Sequence, residues 1–178
     1  MPARRCTGAG SMTTTIVAIS DTHCSSWDEV HPDIRRAVAE ADIAVHCGDF
    51  TRADVVDGVR RHARRAIVVH GNSDPVEIRQ SLPYVEVFEA EGKRIGVTHP
   101  AWGGPEFDLA DLLPDFPEPV DIIVFGHLHE TVNEYRDGVL FVNPGQAYAS
   151  FMVPSTIAVL TVTNGEASAE IRVVEPPR

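Results

Sequence analysis

His46-Cys47-Gly48-Asp49 closes the apolar run Ile43-Ala44-Val45 and sets the pattern for the rest of the chain. A carboxylate at the end of a buried strand costs free energy unless something pairs with it. The same arrangement recurs along the chain. Ile16-Val17-Ala18-Ile19 runs into Ser20-Asp21-Thr22-His23, and Ile67-Val68-Val69 into His70-Gly71-Asn72-Ser73-Asp74. Ile95-Gly96-Val97 runs into Thr98-His99, and Ile122-Ile123-Val124-Phe125 into Gly126-His127-Leu128-His129. Five short apolar runs thus end in Asp, Asn or His. In three of them Gly48, Gly71 or Gly126 stands where the chain leaves the run, and glycine allows a sharp turn there.

Between these runs the period is helical. Pro32 to Glu40 predicts a helix with Pro near its first turn and Ile34, Ala37, Val38 and Ala41 on one face. Ala53 to Arg65 predicts a second, with Val55, Val56, Val59 and Ala63 inward and Arg60, Arg61, Arg64 and Arg65 on a solvated face. Thr13 to Ser20, Asp42 to His46 and Ala66 to His70 read as strands, so the first half predicts a parallel sheet with right-handed crossovers. The period then changes. Tyr84 to Ala90 and Lys93 to Thr98 predict a hairpin at Gly92, and Val120 to Phe125 a buried strand. Phe107 to Leu113 predicts a short helix stopped by Pro114. Val132 to Tyr135 and Val139 to Val142 flank Asp137-Gly138, and Thr156 to Thr163 and Ala167 to Val174 flank Asn164-Gly165, two further hairpins. The expectation is an α/β protein with two sheets, the first parallel and covered by helices, the second largely antiparallel. Residues 1 to 12 read as a flexible leader, with Met12 a candidate start, and residues 13 to 178 as a single domain.

The chain has 178 residues, 43% hydrophobic and 23% charged, ordinary for a globular protein able to bury a core. Its net charge of -11 disfavours general nucleic-acid binding, which needs clustered Lys and Arg. Cys6, Cys24 and Cys47 have no framework spacing, which fits a reducing compartment and a cytoplasmic location. No apolar segment reaches the length of a membrane span. The oligomeric state is not legible.

In an open α/β sheet, ligands bind beyond the carboxyl ends of the strands. The five runs deliver Asp21, His23, Asp49, Asn72, His99, His127 and His129 to one such edge. Asp21 and His23 alternate, as do His127 and His129, and in extended chain such pairs point to one side. Carboxylate, imidazole and amide oxygen suit Mn²⁺, Fe, Zn²⁺ or Ni²⁺ better than Ca²⁺. Seven ligands exceed one ion of this class and fit two ions sharing Asp49. Two-metal sites hold their ions roughly 3.5–4 Å apart and clamp a phosphoryl displacement. Taken singly, each residue has a plainer explanation: a capping Asp, a turn Gly-Asp, a satisfied core His. His31, His46, His62 and His70 are assigned that structural role. Cations near Cys24 and Cys47 would lower their pKa and make activity sensitive to oxidation; the equal alternative is a pair of inert buried thiols.

The ordered set Asp21-x-His23, Gly48-Asp49, Gly71-Asn72-x-Asp74, His99 and Gly126-His127-x-His129 resembles the calcineurin-like metallophosphoesterase superfamily, in its small YfcE-like phosphodiesterase branch. The resemblance implies a two-sheet β-sandwich flanked by helices in four layers, α/β/β/α. It implies one metal on Asp21, His23, Asp49 and His129 and a second on Asp49, Asn72, His99 and His127, with manganese the usual ion. It implies a phosphodiesterase acting on a small anionic phosphate ester, through attack by a hydroxide bridging the metals. Asp49, Asn72 and Asp74 are then the catalytic residues, Asn72 holding a phosphoryl oxygen and Asp74 orienting an imidazole or stabilising its loop. The chain departs from the family at Cys24, Pro100, Ala101, Gln146 and Ser73, the last where larger relatives carry a His beside the leaving group. The alternative is a non-catalytic protein-interaction scaffold, as in the retromer-subunit branch of the same fold. A scaffold has no need of seven intact ligands.

Overall fold

The computed structural model describes residues 12–104 and 106–178, so the leader expected over residues 1–12 lies, but for Met12, outside the described residues. The elements run β1 (Thr13–Ile19), α1 (Pro32–Glu40), β2 (Ile43–His46), α2 (Ala53–His62), β3 (Ala66–Val68), α3 (Val76–Ser81), β4 (Val85–Ala90), β5 (Lys93–Thr98), β6 (Ile122–Phe125), β7 (Thr131–Arg136), β8 (Val139–Pro144), β9 (Ser155–Thr163) and β10 (Glu166–Glu175). Pro32 opens α1 at a position where a missing N–H costs nothing, and the His31 ring accepts from the Asp33 N–H at 3.2 Å. His31 is therefore a cap, as its structural assignment anticipated.

Two five-stranded sheets form, ordered β10-β9-β1-β2-β3 and β4-β5-β6-β8-β7. Both are mixed, which corrects the expected division into parallel and antiparallel halves. β1, β2 and β3 pair in parallel, but the C-terminal hairpin joins their sheet with β9 antiparallel to β1. In the second sheet β5, β6 and β8 run parallel between antiparallel β4 and β7. Hairpin chemistry sets which strands turn back on each other; it does not say which open edge a hairpin completes.

The sheets pack face to face. Ile16, Ala18, Val45 and Ile67 of the first meet Ile95, Val97, Ile122 and Val124 of the second. Burying each such side chain is worth about 1.5–3 kcal/mol. On the outer face of the first sheet, Ile34 and Val38 of α1 and Val55 and Val59 of α2 cover Val17, Ile19 and Ala44. On the other side, Leu112 and Phe116 cover Ile123, Phe125 and Phe141. That cover is a 3-10 segment, Leu109–Asp115, which runs through Pro114 and does not stop before it. Asp108 and Asp111 cap its start reciprocally. α3 was not expected; its six residues are too few for a periodic signal.

Candidate metal centre

The parallel strands place their carboxyl ends at one edge, where the seven expected ligands meet. Asp21 and His23 follow β1, Asp49 follows β2, Asn72 follows β3, His99 follows β5, and His127 and His129 follow β6. The chain is not extended there. Asp21, His23, Asp49, His127 and His129 all have left-handed φ, from 45° to 86°. The pairs Asp21/His23 and His127/His129 therefore converge through strained turns, not strand alternation. Non-glycine residues adopt this region only when the surroundings hold them there.

The glycines differ in their task. Gly48 has φ +98° and makes the turn. Gly71 and Gly126 lack positive φ and serve close approach. A Cβ on Gly71 would lie 2.1 Å from Asp49 Oδ1, and one on Gly126 would lie 2.1 Å from Ser20 Oγ.

Asp49 is buried and its two oxygens face different imidazoles. Oδ2 lies 3.7 Å from His23 Nε2, and Oδ1 lies 3.6 Å from His99 Nε2. Oδ1 also accepts the Ser73 N–H at 2.8 Å. Asn72 Oδ1 lies 3.0 Å from both His99 Nε2 and His127 Nδ1. Asp21 Oδ1 stands 3.3 Å from His129 Nε2 and 4.0 Å from His23 Nε2. Ligand atoms of Asp21, His23 and His129 lie within 4.8 Å of one another, as do those of Asp21, Asp49 and His99.

Several observations show that this donor set fits cations. His99 Nδ1 is 2.7 Å from the Cys47 carbonyl, which can only accept, so Nδ1 carries a proton and Nε2 is the ring nitrogen turned to the cluster. Asp21 Oδ1 and His23 Nε2 are buried with no hydrogen-bond partner among the described residues. Burial works to raise the Asp21 carboxyl, yet His129, His99 and Ser20 outweigh it and hold it below the usual range. The Asp21 carboxylate beside His129 pushes that imidazole up against its own burial. The cluster favours positive charge in the gap, whether carried by protons or by metal ions.

Asp74 touches no imidazole. Its Oδ2 accepts from the N–H groups of Asp49 and Gly71, and its Oδ1 from Thr51. Of its two expected roles, the hydrogen bonds are those of a loop clamp. His46, assigned as structural, is fully buried. The Gly48 N–H donates to its Nδ1, so Nε2 carries the proton and donates to Thr22 Oγ1, whose hydroxyl reaches the Asp49 carbonyl. Its ring stacks on Phe50 at 3.7 Å. His70 lies past the end of β3, not within it, with its ring 5.9 Å from Tyr84. Burial raises both Cys24 and Cys47, Cys47 strongly, the direction expected of inert buried thiols.

Sequence reasoning missed two supports. The Cys47 carbonyl orients His99, and a backbone acceptor leaves no side-chain signal. Gln146, noted only as a departure, lies with Oε1 3.0 Å from His129 Nδ1.

A cluster of carboxylate, amide and imidazole at the strand ends of a two-sheet sandwich defines the class of metal-dependent phosphoester hydrolases. The chain belongs to the calcineurin-like phosphoesterase superfamily, whose domain matches residues 14–165. A probable metallophosphoesterase of Methanocaldococcus jannaschii is 32% identical over 136 residues; the match spans 73% of this chain and 66% of that protein's length. A phosphodiesterase of the same organism is 26% identical, over 83% of this chain and 93% of its own. A Thermotoga maritima protein solved by NMR superposes with a TM-score of 0.71 at 32% identity, over 90% of this chain and 99% of that one. Vacuolar Protein Sorting 29 from Cryptosporidium parvum shares the fold alone, at 18% identity and a TM-score of 0.72, over 92% and 98%.

Proposed function

We propose that this chain is a two-metal phosphodiesterase acting on a small anionic phosphate ester. The observation that carries the reading is the Asp49 carboxylate, whose Oδ2 faces His23 and whose Oδ1 faces His99. One ion would be held by Asp21, His23, Asp49 and His129, and a second by Asp49, Asn72, His99 and His127. The donor set suits Mn²⁺, Fe, Zn²⁺ or Ni²⁺, and the family resemblance makes manganese the first choice. Bound there, the ions supply Lewis acidity and a nucleophile generated from water at neutral pH.

The chain's own residues do the rest. Asp74 holds the Asp49 and Gly71 backbone, fixing the bridging carboxylate against the Asn72 loop. Asn72 is exposed and offers its amide at the mouth of the cluster, where a phosphoryl oxygen would sit. Ser73 is also exposed and brings a hydroxyl, not an imidazole, to the leaving-group side. With His99 and His127 committed to metal and a hydroxyl at Ser73, diesters with good leaving groups are favoured over alkyl monoesters. A relative named a phosphodiesterase supports the diester reading. The free thiols of Cys24 and Cys47 suit a reducing compartment, and we place the protein in the cytoplasm. Among the described residues no helix is long and apolar enough to cross a membrane.

The scaffold reading draws on the fold likeness to Vacuolar Protein Sorting 29. It gives no reason for seven polar side chains to converge, and we set it second. A manganese-loaded panel of aryl diesters, cyclic nucleotides and alkyl monoesters tests the choice. Turnover led by aryl diesters is expected; no turnover of any ester would favour the scaffold.

A further inference from the structure

Gln146 stands where the chain leaves β8, only 2% exposed and anchored at both ends of its amide. Its Nε2 donates to the Tyr148 carbonyl at 2.7 Å and to Ser150 Oγ at 2.9 Å. A carbonyl cannot donate, so the amide orientation is fixed and Oε1 must face His129. That oxygen lies 3.0 Å from His129 Nδ1 and can only accept, so Nδ1 carries the proton. Nε2 is the nitrogen turned to the cluster, 3.3 Å from Asp21 Oδ1, so the ring is held between two acceptors. The amide anchors belong to the 148–153 turn, closed by the bridge between Ser150 and Val153 and tied to the C-terminus by the Arg178 N–H on the Ser150 carbonyl. Tyr148 from the same turn sets its ring edge-on to His23 and His129, at 5.8 and 6.3 Å.

We infer that Gln146 is the positioning residue for His129: its Oε1 accepts from Nδ1, aims Nε2 at the cluster and ties the ring angle to the 148–153 turn. The inference rests on the proposed ligand role of His129. Groups that orient a metal-binding His in this way typically contribute ~10–100-fold to metal affinity.

The test uses the full chain with Gln146→Met, similar in length but without the amide, and Gln146→Glu, which keeps the acceptor for His129 and loses the donors to the turn. The first readout is ¹H–¹⁵N NMR of the His129 Nδ1–H in metal-free protein. The second is Mn²⁺ affinity by calorimetry. Wild type and Gln146→Glu should show a hydrogen-bonded, slowly exchanging Nδ1–H, and Gln146→Met should lose it. Mn²⁺ affinity should fall ~10–100-fold in Gln146→Met and recover in Gln146→Glu. If Gln146→Met misfolds, Ser150→Ala, which removes one anchor of the amide, should give a smaller change in the same direction. An unchanged Nδ1–H signal and affinity in folded Gln146→Met would overturn the inference. Loss of that signal in Gln146→Met, with no Mn²⁺ uptake by the wild type, would instead count against the proposed function alone.

Discussion

Oδ2 of Asp74 accepts the backbone N–H of Asp49 at 3.0 Å, so the residue proposed to bridge two ions is held by a carboxylate that touches neither. The same side chain accepts from Gly71 at 2.7 Å and Thr51 at 2.8 Å. Asp74→Ala leaves these N–H groups without their acceptor, at a cost of about 1–3 kcal/mol for each buried group. A fall in melting temperature and at least a tenfold loss of kcat are expected together. Thermal melts and turnover at equal metal loading check this; a destabilised variant with full turnover would contradict the clamp.

Gly71→Ala should act on the centre more than on the fold. The added methyl would meet Asp49 Oδ1 at 2.1 Å and the Asp49 nitrogen at 2.6 Å. Misplacing a reacting geometry by about 1 Å costs on the order of 10²-fold. Gly104, with no atom within 4 Å of its would-be Cβ, supplies the control: Gly104→Ala should keep wild-type kcat. Equal kcat in the two variants would remove the close-approach argument.

His46 sets an acid limit on stability. Burial, with His99 and His23 adding to it against Asp21, depresses its pKa from 6.5 to about 3. The unfolded chain therefore binds a proton that the folded chain refuses between those values. Stability from this group is fully present above pH 6.5 and declines as pH falls toward 3, by on the order of a few kcal/mol in total. Urea unfolding from pH 7 to 4 should show that slope, and His46→Gln should flatten it. An unchanged slope in the variant would assign the acid loss to other groups.

The strand-end pattern carried the architecture and all seven clustered side chains. Each of these side chains marks the point where an apolar run stops, so the residues needed no packing information to be found. The backbone at those points was not legible. Asp and His tolerate left-handed φ better than most residues, but at Asp21, His23, His127 and His129 surrounding contacts, not local sequence, select it. Sheet membership of β9 and β10 failed for a related reason: β9 pairs with β1 from the other end of the chain. Burial of the thiols was not legible either; Cys47 is wholly enclosed. The three amide partners of Asp74 come from loops that only the fold brings near.

Ser73→His asks whether the missing acid governs substrate choice. A general acid at the leaving oxygen is typically worth ~10²–10⁴-fold. The wild type should hydrolyse aryl diesters much faster than alkyl monoesters, and the variant should narrow that ratio at unchanged metal content. The Ser73 N–H bond to Asp49 Oδ1 is made by the backbone and survives the change. Wild-type turnover of alkyl monoesters at the aryl-diester rate would show that another group already donates the proton.

The most direct measurement is turnover of an aryl phosphodiester by metal-free protein titrated with Mn²⁺. The shared carboxylate of Asp49 and the two groups of ligands around it predict no turnover without metal and a plateau at two equivalents per chain. A plateau at one equivalent, or full turnover in the presence of a chelator, would contradict the two-ion centre.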